Sequence, residues 1–166
     1  MPNARTFEDV FVHELQDIYN AEQQILKALP TMIDAAESDE LSTTFKEHME
    51  ETRRQVTRLE KAFADLDLKP KGIRCEGMEG ILNEGKELAE DGMDGPLRDA
   101  ALIGAAQRVE HYETAVYGTL VAWARTLGHD RVANLLSETL AEEERADSRL
   151  TELAESGINT RAAAGQ

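Results

Sequence analysis

Apolar residues recur at helical spacing through four long stretches of the chain. The first runs from about Thr6, a residue suited to cap a helix, to about Glu37, and carries Phe11, Leu15, Ile18, Ile25 and Leu29 on one face. Pro30 falls inside this pattern, yet the stripe continues through Ile33, which predicts a kink rather than an end. The second stretch starts after Ser38 or Asp39 and reaches about Leu66, with Leu41, Phe45, Met49, Val56, Leu59 and Phe63 facing inward. A third begins near Pro96, a residue that fits the first helical turn, and ends at Gly128. Its stripe is Leu102, Val109, Val116 and Leu120. The fourth, capped by Asp130, carries Val132, Leu136, Leu140 and Leu150 and fades near Ser156 and Gly157.

Residues 67–95 separate the second stretch from the third. From Lys69 to Gly80 they hold Pro70, Gly72, Gly77 and Gly80 and read as irregular, and a short helix follows around Glu79 to Glu90. Two helical hairpins joined by one long crossover predict an all-α, ferritin-like four-helix bundle, not an up-down bundle with short loops. The length of 166 residues suits one domain with a real core, spanning residues 1–157, with a flexible C-terminal tail over 158–166.

Three of the four stripes are interrupted near their centres by glutamate: Glu22 in the first, Glu113 in the third and Glu143 in the fourth. At 100° per residue each lies within roughly 30° of its helix's apolar centre. A bare carboxylate is very costly to bury, so it must neutralise, pair with a cation or bind a metal. Inward glutamates from several helices of one bundle are the makings of a two-metal carboxylate centre.

The second helix is less regular. Its inner face holds His48, Thr52 and Gln55, with Glu51 on the flank, roughly 110° from the centre, and Glu50 turned to solvent. His48 and Glu51 are this helix's candidate ligands, although an inward histidine is also a common hydrogen-bonded core residue. Gln55 is placed to donate to a carboxylate. Glu110 lies one turn before Glu113, and Asp147 one turn after Glu143. Both sit at the stripe's edge, as ligands or as partly solvated boundary acids. The candidate metal ligands are therefore Glu22, His48, Glu51, Glu110, Glu113, Glu143 and Asp147. His13, His111 and His129 read as surface or loop residues.

A donor set rich in oxygen with at most one imidazole favours iron or manganese over zinc or copper(I), with two ions per chain if the site is intact. Tyr19 and Tyr112 flank Glu22 and Glu113, either as core residues with satisfied hydroxyls or as donors and electron relays.

A net charge of -15 repels nucleic acid and anionic membranes, which removes both as expected partners. No apolar run approaches the roughly 18–20 residues that span a bilayer, and the start, Met-Pro-Asn-Ala-Arg-Thr, lacks the apolar core of a signal peptide. Cys75 is the single cysteine and reads as structural. A cytoplasmic protein is expected.

Over nearly its whole length the chain resembles the YciE/YciF-like stress proteins of bacteria. The resemblance rests on Thr6-Phe-Glu-Asp-Val-Phe11, Tyr19-Asn-Ala-Glu22, His48-Met-Glu-Glu-Thr52, Cys75-Glu-Gly-Met-Glu-Gly80, Arg98-Asp-Ala-Ala-Leu-Ile103, Val109-Glu-His-Tyr-Glu113, Tyr117-Gly and Thr139-Leu-Ala-Glu-Glu-Glu144. It implies a ferritin-like bundle with a rubrerythrin-like candidate metal centre, a homodimer and a link to stress response. Glu110-x-x-Glu113 looks like the paired glutamates on the third helix of rubrerythrins. There are departures. Ferritin-like sites usually carry Glu-x-x-His on the second and fourth helices. Here Glu50 and Glu51 lead to Arg53 and Arg54, while Glu143 and Glu144 lead to Ala146 and Asp147. If His48 substitutes, it does so from the other side of the glutamate. If active, such a centre would oxidise Fe(II) or reduce peroxide at the metals; the missing histidines favour the alternative, a non-enzymatic stress protein with a degenerate or empty site that acts through dimer and partner surfaces.

Overall fold

A computed structural model describes residues 4–165. Its main helices are α1 (Phe7–Ala35), α2 (Asp39–Asp65), α3 (Glu76–Glu90), α4 (Gly95–Leu127) and α5 (Asp130–Leu153). No strand occurs among the described residues. Two hairpins, α1–α2 and α4–α5, pack into a bundle, and the crossover between them carries α3 along α1 and α4. The fold is the all-α bundle with a helix-bearing crossover that the hydrophobic pattern predicts.

The helix ends follow from local chemistry. Thr6 Oγ1 accepts the Asp9 backbone N–H at 3.0 Å while the Asp9 carboxylate accepts the Thr6 N–H at 2.9 Å, a reciprocal capping box. Ser38 caps α2 through its hydroxyl and the Leu41 N–H. At the end of α4, Gly128 adopts φ 82°, a conformation that costs glycine least, and the chain turns directly into α5. Pro30 lies within α1, which continues to Ala35.

Two boundaries differ from the sequence expectation. The crossover helix begins three residues earlier than Glu79, because the Cys75 thiol accepts the Met78 N–H and starts it there. Gly77, which reads as a breaker, is helical, and its lack of a side chain admits α4: a Cβ there would stand 3.0 Å from the Tyr112 ring. The residue capping α5 is His129, and Asp130 is the first residue of the helix, where its charge suits the helix dipole.

Beyond α5 the chain makes a wide turn, Ala154–Ile158, in which Gly157 takes φ 149°. Ile158 is buried, and a short helix α6 (Asn159–Ala164) follows against α4.

The core runs the length of the bundle. Phe11, Leu15, Ile18, Leu41, Leu59, Phe63, Leu102, Leu120 and Leu136 are almost wholly buried. Two polar anchors hold the parts in place. Asp99, buried near the start of α4, accepts the N–H groups of Glu37 at 2.8 Å and Ser38 at 2.9 Å in the α1–α2 turn. Asn20 of α1 accepts the Cys75 N–H at 2.9 Å, and Gln24 donates to the Cys75 carbonyl at 3.1 Å, which pins the crossover before α3 begins.

Candidate metal centre

Halfway along the bundle the apolar core gives way to a knot of acids. Glu22 from α1, His48 from α2, Glu110 and Glu113 from α4, and Glu143 from α5 are all buried. One ligand atom from each of His48, Glu110, Glu113 and Glu143 lies within 4.8 Å of the other three. His48 Nε2 stands 3.5 Å from Glu110 Oε1. Glu110 and Glu113 share a face of α4 because they are three residues apart. Tyr117, one further turn on, donates its hydroxyl to Glu22 Oε1. The carboxyls of Glu22 and Glu113 face each other, as do those of Glu110 and Glu143.

What these groups lack is partners. Glu22 Oε2, both ring nitrogens of His48, Glu110 Oε2, both oxygens of Glu113 and Glu143 Oε2 are buried without a hydrogen bond. Buried polar atoms are nearly always satisfied, so a concentration of orphans in one place calls for a ligand. The donor set, four carboxyls and one imidazole, fits a hard or borderline divalent ion.

Around the knot is a supporting layer. Gln55 donates its amide to Glu143 Oε1 and, at 3.1 Å, to Glu142 Oε2. Arg58 holds Glu142 with two hydrogen bonds of 2.8 and 3.0 Å and donates to the Thr139 hydroxyl at 2.7 Å. The α2–α5 side of the site is therefore closed by an arginine–carboxylate fork, whose planar geometry fixes both partners.

Protonation follows from burial and crowding. Loss of solvent, then the negative charge of Glu143, holds the carboxyls of Glu22, Glu110 and Glu113 well above the usual range. Burial raises Glu143 to about 7, against the opposing hydrogen bonds from Glu110 and Gln55. Burial also lowers His48 to about 4, so the imidazole is neutral at pH 7 with a lone pair to offer. For Glu142, burial pushes upward but the hydrogen bonds from Arg58 and Gln55 prevail, and it stays ionised.

Of the seven candidate ligands, five come together: Glu22, His48, Glu110, Glu113 and Glu143. Glu51 lies on the flank of α2, 33% exposed, with Arg54 at 3.6 Å. Asp147 faces out of the bundle, where His111 stands 3.2 Å away and Gln107 donates to it. The two tyrosines singled out in the sequence do not reach the acids. Tyr19 donates to Glu60 at 3.1 Å, and Tyr112 lies against Cys75 and Asp17. The hydroxyl that does reach them is Tyr117, four residues beyond Glu113 on the same face. That spacing was a signal available in the sequence. Arg58 was not legible: it sits on the α2 flank, and its partner Glu142 precedes the inward Glu143 by one residue.

Comparison with known proteins places this architecture. A family described as "Domain of unknown function (DUF892)" matches residues 6–163. Protein YciF of Escherichia coli strain K12 is 45% identical over 161 residues, 96% of this chain and 97% of that protein. The crystal structure of the E. coli stress protein YciF superposes with a TM-score of 0.91 at 44% identity, covering 94% of this chain and 99% of that one. YcfI of Rhodopseudomonas palustris gives a TM-score of 0.87 at 46% identity over 89% of this chain and 94% of its own. A Xanthomonas campestris protein at 23% identity shares the fold, with a TM-score of 0.76 over 95% of this chain and 97% of its own.

Proposed function

This chain belongs to the DUF892 family, and we propose that it is a ferritin-like carboxylate protein that holds iron or manganese, two ions per chain, in stress response. The observation that carries this reading is the set of unpartnered, buried ligand atoms on Glu22, His48, Glu110, Glu113 and Glu143. The stress setting rests on likeness to the E. coli stress protein.

His48, Glu110, Glu113 and Glu143, whose ligand atoms converge, would hold the metal, with Glu22 beside them. Glu51 and Asp147 are the outer candidates, available only if their side chains swing inward. Iron or manganese bound there supplies a one-electron couple suited to oxidising Fe(II) with oxygen or to reducing peroxide. The chain's own residues prepare the site for it. Burial keeps bulk water from the carboxyls, the neutral imidazole of His48 presents a free lone pair, and Tyr117 and Gln55 orient Glu22 and Glu143.

The test is metal content. Protein purified without chelators, or loaded anaerobically with Fe(II), is expected to carry two ions per chain and to lose them in Glu22→Gln, Glu113→Gln and Glu143→Gln. A parent protein that takes up no metal under anaerobic loading overturns the reading.

A second reading is favoured by the facing carboxyl pairs, Glu22 with Glu113 and Glu110 with Glu143. In it the pairs share protons, the site stays without metal, and the protein works through its surfaces. That same loading experiment separates the two.

A further inference from the structure

Beside the acid knot, on the side covered by α3, lies a cavity of about 400 Å³. Its walls are mainly apolar, with Ile25, Leu29, Met32 and Phe45 from the first hairpin, Leu82 from α3 and Val109 from α4. At its inner end are His48 and Glu110, both more than nine-tenths buried, with the imidazole nitrogens and Glu110 Oε2 unpartnered. The outer rim carries two exposed lysines, Lys27 and Lys86. Lys86 has only a loose contact with Glu90 at 3.8 Å, while the rim acid Glu79 is held away by Arg74 at 2.7 Å. In a molecule with net charge -15, a mouth with two cations and a committed acid is a local reversal of sign.

We infer that this cavity binds a small amphipathic anion, an apolar body with a carboxylate head. The body fills the apolar space between α1, α3 and α4, stopping short of the His48 and Glu110 atoms, and the head meets Lys27 and Lys86 at the mouth. Hydrated Fe(II) does not suit such a wall, because an ion approaching its ligands gains nothing from apolar surface and loses water to it. A volume near 400 Å³, mainly apolar with a few convergent polar groups, is the usual form of an organic ligand site.

That the pocket borders a metal centre, through His48 and Glu110, rests on the function proposed above, but its occupancy does not. The experiment therefore measures both. Octanoate, octanol and butyrate are titrated calorimetrically into chelator-treated and Fe(II)-loaded protein, with metal stoichiometry determined on the same samples. Octanoate is expected to bind once per chain, butyrate not measurably. Ala28→Leu, which projects a larger side chain from the half-buried wall, should weaken octanoate about tenfold while leaving metal stoichiometry unchanged. Lys27→Gln combined with Lys86→Gln should weaken octanoate about fivefold and leave octanol unaffected. Octanoate binding that Ala28→Leu does not alter, or no binding at all to protein that loads metal normally, overturns the pocket. Equal binding of octanol and octanoate by the parent overturns the anionic head. Octanoate binding by protein that refuses metal upholds the pocket and removes the metal centre instead.

Discussion

Tyr117 and Glu22, from α4 and α1, meet hydroxyl to carboxyl in the middle of the bundle, and neither exposes any surface to solvent. Among the described residues this is the one hydrogen bond that reaches the Glu22 carboxyl, and it lowers that group's affinity for a proton against the opposing pull of burial and Glu143. Tyr117→Phe leaves both Glu22 oxygens unsatisfied. Metal-free protein carrying it should lose about 1–3 kcal/mol of stability in a urea titration. Its metal affinity should fall about tenfold or more, since the orienting donor is gone. An unchanged urea midpoint would mean that the hydroxyl contributes nothing.

Glu113 has the opposite character. Neither of its carboxyl oxygens has a hydrogen bond, and Glu143, Glu22 and Glu110 all crowd it. Replacing it by the neutral isostere in Glu113→Gln should abolish metal binding yet raise the stability of the metal-free protein, by about 1–2 kcal/mol. A binding site built from mutually repelling groups is stabilised by losing one of them. A lower thermal midpoint for Glu113→Gln than for the parent, both free of metal at pH 8, would contradict this.

Stability of the metal-free protein should fall as pH rises. Glu22, Glu110, Glu113 and Glu143 have folded-state pKa values above the ordinary 4.5, so the folded state binds their protons more tightly than the unfolded chain. Their contribution is fully present below 4.5 and is lost as pH climbs through the raised values, about 7 for Glu143. His48 acts in the other direction: its pKa drops from 6.5 to about 4, so it stabilises fully above 6.5 and loses that effect as pH falls towards 4. Above pH 6.5 the carboxyls alone remain, and thermal midpoints between pH 6.5 and 8 should decline. Metal loading should release protons, measurable in weakly buffered solution, and remove the decline.

Arg58 makes a prediction about architecture. It binds Glu142 through two hydrogen bonds and Thr139 through a third, tying α2 to α5 at the edge of the site. Arg58→Met keeps the aliphatic stem but frees the Glu142 charge beside Glu22, His48 and Glu51. A cost of about 1–3 kcal/mol is expected, read from chemical denaturation. Glu142→Gln in the same background should recover part of it, because the unpaired charge is then removed.

The sequence made the helices plain, because stripes such as Phe11, Leu15 and Ile18 or Leu41 and Phe45 need only a periodicity to be seen. It also made the inward acids plain, since Glu22, Glu113 and Glu143 stand out against leucine and valine. What it could not rank was the flank. Asp147 lies as near its stripe in angle as Glu110 does, yet only Glu110 is buried, because α3 packs beside it and covers that side. The cavity was invisible for the same reason: it is a space left between α1, α3 and α4, and no single helix pattern records the gaps between neighbours. Of the two readings of Tyr19 and Tyr112, the packed residue with a satisfied hydroxyl is the one the structure bears out. Each ring finds its hydroxyl partner elsewhere, Glu60 in one case and Asp17 in the other.

The carboxylate of Asp99, holding the N–H groups of Glu37 and Ser38, is far along the bundle from the acids but governs whether they can meet. Coiled helices with leucine-rich seams can slip past one another by a turn, about 5.4 Å, and still bury similar apolar area. Such a slip between the two hairpins would break both Asp99 bonds. It would also exceed the 4.8 Å span over which His48, Glu110, Glu113 and Glu143 now converge. Asp99 thus sets the register of one half of the molecule against the other, and a centre drawn from four helices exists only in that alignment.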